Sequence, residues 1–181
     1  MRIIINSLED IENRKSSLSQ SAIRTKEQLL VLASSKDAIT LLADMKFAKV
    51  GCDPLEPTRQ LNLIEQLNQT FTYLASFLAA EYLLIKYPTA IPLILNLGTS
   101  NGLDIESSQC GGIGAEVFAA VNLKNNDKLI KDCRKISSQT RITHKYVFFM
   151  CPGYKSAYQA DSLEFPDVSI VSVSDDQKGA K

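Results

Sequence analysis

Apolar residues recur at helical spacing in the first half of the chain. Leu63, Leu67, Phe71, Leu74 and Leu78 repeat every three or four positions. That is the mark of a buried helical face, and it predicts a long helix from about Leu61 to Tyr87 that Pro88 stops. Upstream, the first sixty residues read as helical, with many charges and no glycine before Gly51. Leu29, Leu32, Ala33, Ile39 and Leu42 keep helical spacing across an interruption at Ser34-Ser35-Lys36-Asp37, while the polar run from Ser16 to Ser21 reads as frayed or linking. One glycine and two prolines within the eight residues from Gly51 to Thr58 mark a loop. The boundary between a helical N-terminal extension, 1–57, and a core, 58–174, is placed there.

Beyond Pro88 the period changes. Ile91 to Leu97 is short and apolar, and Gly-Thr-Ser-Asn-Gly follows it as a turn. Leu103 to Gln109 begins with apolar and polar residues alternating, Cys110-Gly111-Gly112 turns the chain, and Ile113 to Leu123 is strand-like again. Asn125 to Ser137 is amphipathic, with Leu129, Cys133 and Ile136 on one face. Tyr146 to Cys151 and Val168 to Val173 read as two further buried strands, separated by a polar loop that contains tyrosine. The tail from Asp175 is charged and reads as disordered. The predicted order is helix, three strands, helix, two strands.

Composition narrows the class without choosing a function. A chain of 181 residues with 45% hydrophobic and 22% charged residues suits one soluble domain with an extension. The formal net charge is zero, so attraction to nucleic acid has to come from a local patch. The apolar start is too short for a signal-peptide core, and Glu81, Lys86, Pro88 and Pro92 interrupt the most apolar stretch, which makes it a poor membrane span. Cys52, Cys110, Cys133 and Cys151 are scattered, and one histidine leaves little for a zinc site. A cytoplasmic protein with reduced thiols and no membrane partner is the expectation.

The candidate chemistry is acidic. In Leu103-Asp104-Ile105-Glu106 both carboxylates fall on one strand face, and in Ile113 to Val121 the odd positions are apolar, so Glu116 and Phe118 share the even face. A two-residue Gly111-Gly112 turn would set Glu106 opposite Val117 and bury carboxylates against an apolar face. A three-residue loop or a bulge shifts the register by one, placing Glu106 opposite Glu116 and Asp104 opposite Phe118. That register is preferred because it gathers Asp104, Glu106 and Glu116, and the glycines can take the positive φ it needs. Carboxylates so gathered call for a cation, and Mg2+ (or Mn2+) is the natural one.

This arrangement resembles the PD-(D/E)xK nuclease superfamily, which includes many restriction endonucleases. Gly102-Leu103-Asp104 matches the acidic strand, Ala115-Glu116-Val117-Phe118 the Glu-x-Lys strand, and Glu65 the extra helical acid of some members. The resemblance spans roughly Leu61 to Val173. It implies a restriction endonuclease-like αβββαβ core and Mg-dependent hydrolysis of DNA, with Asp104, Glu116, Glu106 and Glu65 toward the metal. A two-fold homodimer through the N-terminal helices fits action on palindromic sites. Phe118 stands where the superfamily has lysine. Either Lys124 or Lys128 substitutes from the start of the next helix, or the domain has lost its chemistry and only binds nucleic acid or a protein. Lys124, Lys128, Lys131 and Lys135 lie four, three and four apart, a basic stripe that can grip phosphates or simply face solvent beside Asp127 and Asp132.

Other signals carry less. Gly111-Gly112-Ile113-Gly114 has no following lysine and precedes a strand, so it is a turn and not a phosphate loop. His144 beside Lys145 reads as an exposed strand start and not as part of a hydrolase triad. Tyr154 and Tyr158 with Lys155 read as loop residues before they read as a stacking platform.

Overall fold

The computed structural model describes residues 1–98, 102–124, 127–155, 159–160 and 164–174. Among them the chain is α/β. In order its elements are β1 (Arg2–Ile5), α1 (Leu8–Ser35), α2 (Ala38–Phe47), β2 (Gly51–Cys52), β3 (Gln60–Leu61) and α3 (Leu63–Lys86). There follow β4 (Leu93–Asn96), β5 (Ile105–Ser107), β6 (Ile113–Ala119), α4 (Lys128–Ser137), β7 (His144–Met150), β8 (Gln159–Ala160) and β9 (Val168–Ser172). The expected disordered tail from Asp175, the turn through Thr99, Ser100 and Asn101, the first two residues of the predicted Asn125 helix, and Tyr158 lie outside the described residues. No described helix is long and apolar enough to cross a membrane. Two compact units form, Met1–Ile11 with Ala75–Lys181, and Glu12–Leu74. The division falls inside α1 and α3, and not at the Gly51 to Thr58 loop.

The first unit is built on a mixed sheet in the order β1-β4-β5-β6-β7-β9-β8. β1, β4, β5 and β6 run antiparallel to their neighbours, whereas β6, β7 and β9 run parallel. The stretch α3-β4-β5-β6-α4-β7 keeps the expected order of helix, three strands, helix, strand. The N-terminus departs from expectation, because Arg2–Ile5 is a strand and not part of a helical extension. Three successive isoleucines lose χ1 freedom in a helix and suit a pleated surface. Pairing with β4 buries Ile3 and Ile5, and the terminal ammonium of Met1 donates to the Leu97 carbonyl at 2.9 Å.

The two sheet faces have different partners. Tyr146 and Phe148 meet Tyr82 of α3 edge to face on one side. On the other, Phe118, Val147, Phe149 and Ile170 form a core with Cys133 and Ile136 of α4. Gly114 lies on this second face, where a Cβ would stand 2.4 Å from Ile142 Cδ1 and 2.7 Å from Leu103 Cδ1, so any larger residue requires those side chains to shift.

The second unit joins most of α1, α2, the β2–β3 pair and the first half of α3. The Ser16–Ser21 run does not fray. Ser17 Oγ donates to the Asn13 carbonyl at 3.0 Å, and Leu18 and Ser21 are buried, so α1 passes through unbroken. Asp37 caps α2 by accepting from the Thr40 amide at 3.1 Å, which explains the interruption after Ser35. The buried face of α3 also differs from the expected leucine stripe. Leu67 and Phe71 are 42% and 50% exposed, while Gln66 and Tyr73 are buried. Those two carry polar atoms that the Gly51–Arg59 loop requires. Gln66 accepts from the Cys52 amide, and Tyr73 donates to the buried Asp53, whose other oxygen takes the Leu55 and Glu56 amides.

Candidate active site

The β5–β6 hairpin sets the acidic face. Its register pairs Ile105 with Ala115, Glu106 with Gly114 and Ser107 with Ile113, so residues 108–112 form the loop. That is two residues beyond the expected register and of the same parity. The longer loop is supported by positive φ at Cys110, Gly111 and Gly112, at 56°, 80° and 92°. Because parity is kept, Asp104, Glu106 and Glu116 still share one face, but the residue opposite Glu116 is now Asp104 and not Glu106. Glu106 instead faces Gly114 and accepts from Asn96 Nδ2 at 3.3 Å.

Asp104 and Glu116 are held in different ways. Asp104 Oδ2 accepts from the Val117 amide at 2.7 Å, across the hairpin. Glu116 is nearly shut from solvent, its side chain only 3% exposed, and Lys135 Nζ of α4 stands 2.7 Å from its Oε1. At that distance the ammonium compensates the buried Oε1 in charge. Lys135 also donates to the Gly102 carbonyl at 3.2 Å.

A third acid joins them. Asp132, on the inner side of α4, is 5% exposed at its side chain, and its Oδ1 takes Lys128 Nζ at 2.7 Å. Burial raises the pKa of all three carboxyls, and that of Glu116 reaches about 7. The Val117 amide and the Lys135 and Lys128 charges oppose the rise at Asp104. At Glu116 the Lys135 ammonium opposes it while the Asp104 charge adds to it.

The remaining predicted positions scatter. Phe118 is built into the core, its ring stacked 6.3 Å from Phe149, and cannot turn toward the acids. Lys124 is exposed in the loop before α4, so it does not continue a helical stripe with Lys128, Lys131 and Lys135. Lys128 and Lys135 point their ammoniums at Asp132 and Glu116, not away from the sheet. Glu65, in the second unit, accepts from the Asn62 amide at 3.2 Å while Asn62 Oδ1 accepts from the Glu65 amide at 2.8 Å, a reciprocal helix cap. The His144 ring lies tilted at 35° to Tyr87 with centroids 4.6 Å apart, and its Nδ1 meets the Tyr87 hydroxyl at 3.2 Å. Asp132 was not expected near the acids, and Lys135, expected only in the basic stripe, was not expected beside Glu116. Their sequence signal was an acid three residues before a basic one on a helix with Cys133 and Ile136 facing inward.

No three described histidine, cysteine, aspartate or glutamate side chains stand at metal-ligating spacing. The donor chemistry nevertheless suits a hard divalent cation. Asp104 and Glu116 offer carboxylate oxygens, and magnesium often uses only one or two carboxylates with water and phosphate oxygens. No family model, no curated protein and no solved structure matches this chain.

Proposed function

We propose that this chain is a magnesium-dependent endodeoxyribonuclease of the restriction-endonuclease type, with its lysine supplied by α4. The observation that carries this reading is the convergence of Asp104, Glu116 and Lys135 on one sheet face, with Lys135 Nζ 2.7 Å from Glu116 Oε1. An acid pair on adjacent strands with one ammonium beside it is the set of groups that the Glu-x-Lys pattern would provide, although Phe118 occupies the lysine position. The α3-β4-β5-β6-α4-β7 order supports an αβββαβ core of the same type.

In this mechanism Asp104 and Glu116 would hold Mg2+ or Mn2+, which would supply Lewis-acid stabilisation of charge at phosphorus and lower the pKa of water. The Val117 amide fixes the Asp104 carboxylate. Lys135 is half exposed, so its ammonium can reach a phosphate oxygen or hold the attacking water. Lys128 is second in line and Lys124 is the more remote candidate. Lys131 and Lys124 extend the positive side toward the DNA backbone. A two-fold dimer through the helices of the second unit belongs to this reading. Its support is the exposed apolar side chains there, among them Leu30, Phe47 and Phe71.

The test is incubation of genomic DNA with the protein in Mg2+ and, separately, Mn2+. Cleavage that disappears in Asp104→Asn and Glu116→Gln is expected, and intact DNA in both metals sinks the nuclease reading. One observation favours a second reading, a nuclease fold that only binds. Phe118 is sealed in the core and Lys135 closes over Glu116. DNA retention that needs neither metal nor Asp104 would support that alternative.

A further inference from the structure

In the second unit α2 is an apolar helix, yet none of its ten residues is buried. Such a helix ordinarily hides at least one face. Asp37 caps its start, Lys36 pairs with Asp44, and Leu41, Asp44 and Met45 lie half-buried on one side. The opposite side is exposed and apolar. Ile39, Leu42 and Ala43 stand there at i, i+3 and i+4, with Phe47 a turn further on. Ile39 and Phe47 are each 76% exposed, and Leu42 is 59% exposed. The same unit also has a hollow. A groove of about 430 Å3 runs between α1 and the first half of α3, walled by Leu29, Leu30, Leu67 and Phe71. Three of its polar lining groups are already engaged: Gln66 Nε2 donates to Thr25 Oγ1, Thr25 to the Ser21 carbonyl, and Thr70 to the Gln66 carbonyl. Lys26 is exposed. The groove therefore suits an apolar occupant.

We propose that this occupant is α2 of a second copy, so that two chains exchange α2 about a two-fold axis. Each helix then lies in the other chain's groove between α1 and α3. This names the contact of the two-fold dimer in the proposed function; it rests on that dimer and needs nothing from the nuclease chemistry. A two-fold contact uses each surface twice. The helix face and the groove of each chain are then both covered, whereas an unrelated occupant of the groove would leave the α2 face bare. The i, i+3, i+4 spacing is also the anchor pattern of helices that dock in grooves. Area supports the same choice. Ile39, Leu42, Phe47, Leu30, Leu67 and Phe71, at exposures between 42% and 76%, offer on the order of 700 Å2 per chain. Reciprocal exchange would bury about 1,400 Å2, inside the ~1,200–2,000 Å2 of a stable specific interface, and one helix in one groove falls short of it.

The experiment is sedimentation velocity on the full chain across the micromolar range, with Leu42→Glu altering the α2 face and Leu67→Lys altering the groove. Both side chains are exposed, so both variants should fold, and circular dichroism checks their helix content. The parent should dimerise, and each variant alone should associate at least tenfold more weakly. An equimolar mixture of the two should dimerise at least fivefold more tightly than either alone. In that mixed dimer one intact α2 meets one intact groove, and the altered pair carries opposite charges. Packing of α2 on α2 would leave Leu67→Lys at the parent's affinity, and packing of groove on groove would leave Leu42→Glu there. Either result overturns the exchange and leaves the dimer standing. Two weakened variants whose mixture is no tighter would overturn it as well. A parent that stays monomeric throughout would remove dimer and exchange together and leave the groove to a different partner, while DNA cleavage, assayed separately, still decides the nuclease reading.

Discussion

Lys135 Nζ lies 2.7 Å from Glu116 Oε1, bringing a cation from α4 to the one strand carboxylate that is sealed from water. The ammonium holds the Glu116 carboxyl below the value that burial and the Asp104 charge would otherwise impose. Lys135→Met should therefore push the Glu116 pKa above 7 and destabilise the fold by about 1–3 kcal/mol at pH 8, where a buried charge loses its counterion. Carboxyl-carbon NMR titration and urea melting test both effects. An unmoved Glu116 resonance would mean that the pair does not form in solution.

The same group makes stability depend on pH. An ordinary glutamate titrates at 4.5 and Glu116 at about 7 in the fold, so the folded state binds the proton more tightly than the unfolded chain. Protonated Glu116 costs the fold nothing below pH 4.5, and its ionisation withdraws stability progressively as pH rises toward 7. The difference between the parent and Glu116→Gln should grow over that window to about 3 kcal/mol and then level. Parallel stability curves for the two proteins would contradict the assignment.

A methyl group at Gly114 is predicted to force its core neighbours to move. Alanine there would meet Ile142 Cδ1 and Leu103 Cδ1 at less than 3 Å, inside the core that seats α4. Gly114→Ala should cost about 1–3 kcal/mol. Adding Ile142→Val should recover part of that loss, because it shortens the nearer neighbour. Urea midpoints of the single and double variants decide the matter.

Glu65 offers a separation of structural from metal roles. Its carboxylate closes the reciprocal cap with Asn62 at the start of α3. Glu65→Ala and Asn62→Ala should each lower stability by about 0.5–2 kcal/mol and leave Mn2+ affinity unchanged. A drop in Mn2+ affinity with Glu65→Ala would restore it to the metal set.

Oligomeric state can be tested on the exposed apolar side chains of the second unit. Leu30→Glu and Phe71→Glu should shift a dimer to monomer in sedimentation at micromolar concentration, since each puts a charge on a 63% or 50% exposed apolar side chain. A monomer in the parent protein would remove the dimer from the proposed function.

Much of the architecture was legible along the chain because it is local. Pro88 and the leucine spacing marked a helix that the folded chain contains, and alternation around Asp104 and Glu116 placed both carboxylates on one face. The register escaped by two residues and kept its parity, since alternation records a face but not a loop length. What escaped entirely was non-local. Arg2–Ile5 becomes a strand only because β4 lies beside it, and Gln66 and Tyr73 displace Leu67 and Phe71 from the interior only because the Gly51–Arg59 loop brings polar groups to them. The lysine beside Glu116 was sought at Lys124 and Lys128, near the start of α4. The crossover from β6 to β7 lays the helix over the sheet so that Lys135, near its other end, reaches the acid, with Asp132 buried beneath it. Residue types and periods decide which side chains can share a surface. Only the packing of that helix on that sheet decides which charges meet, because a charge pair depends on distances between elements that the sequence orders but does not measure.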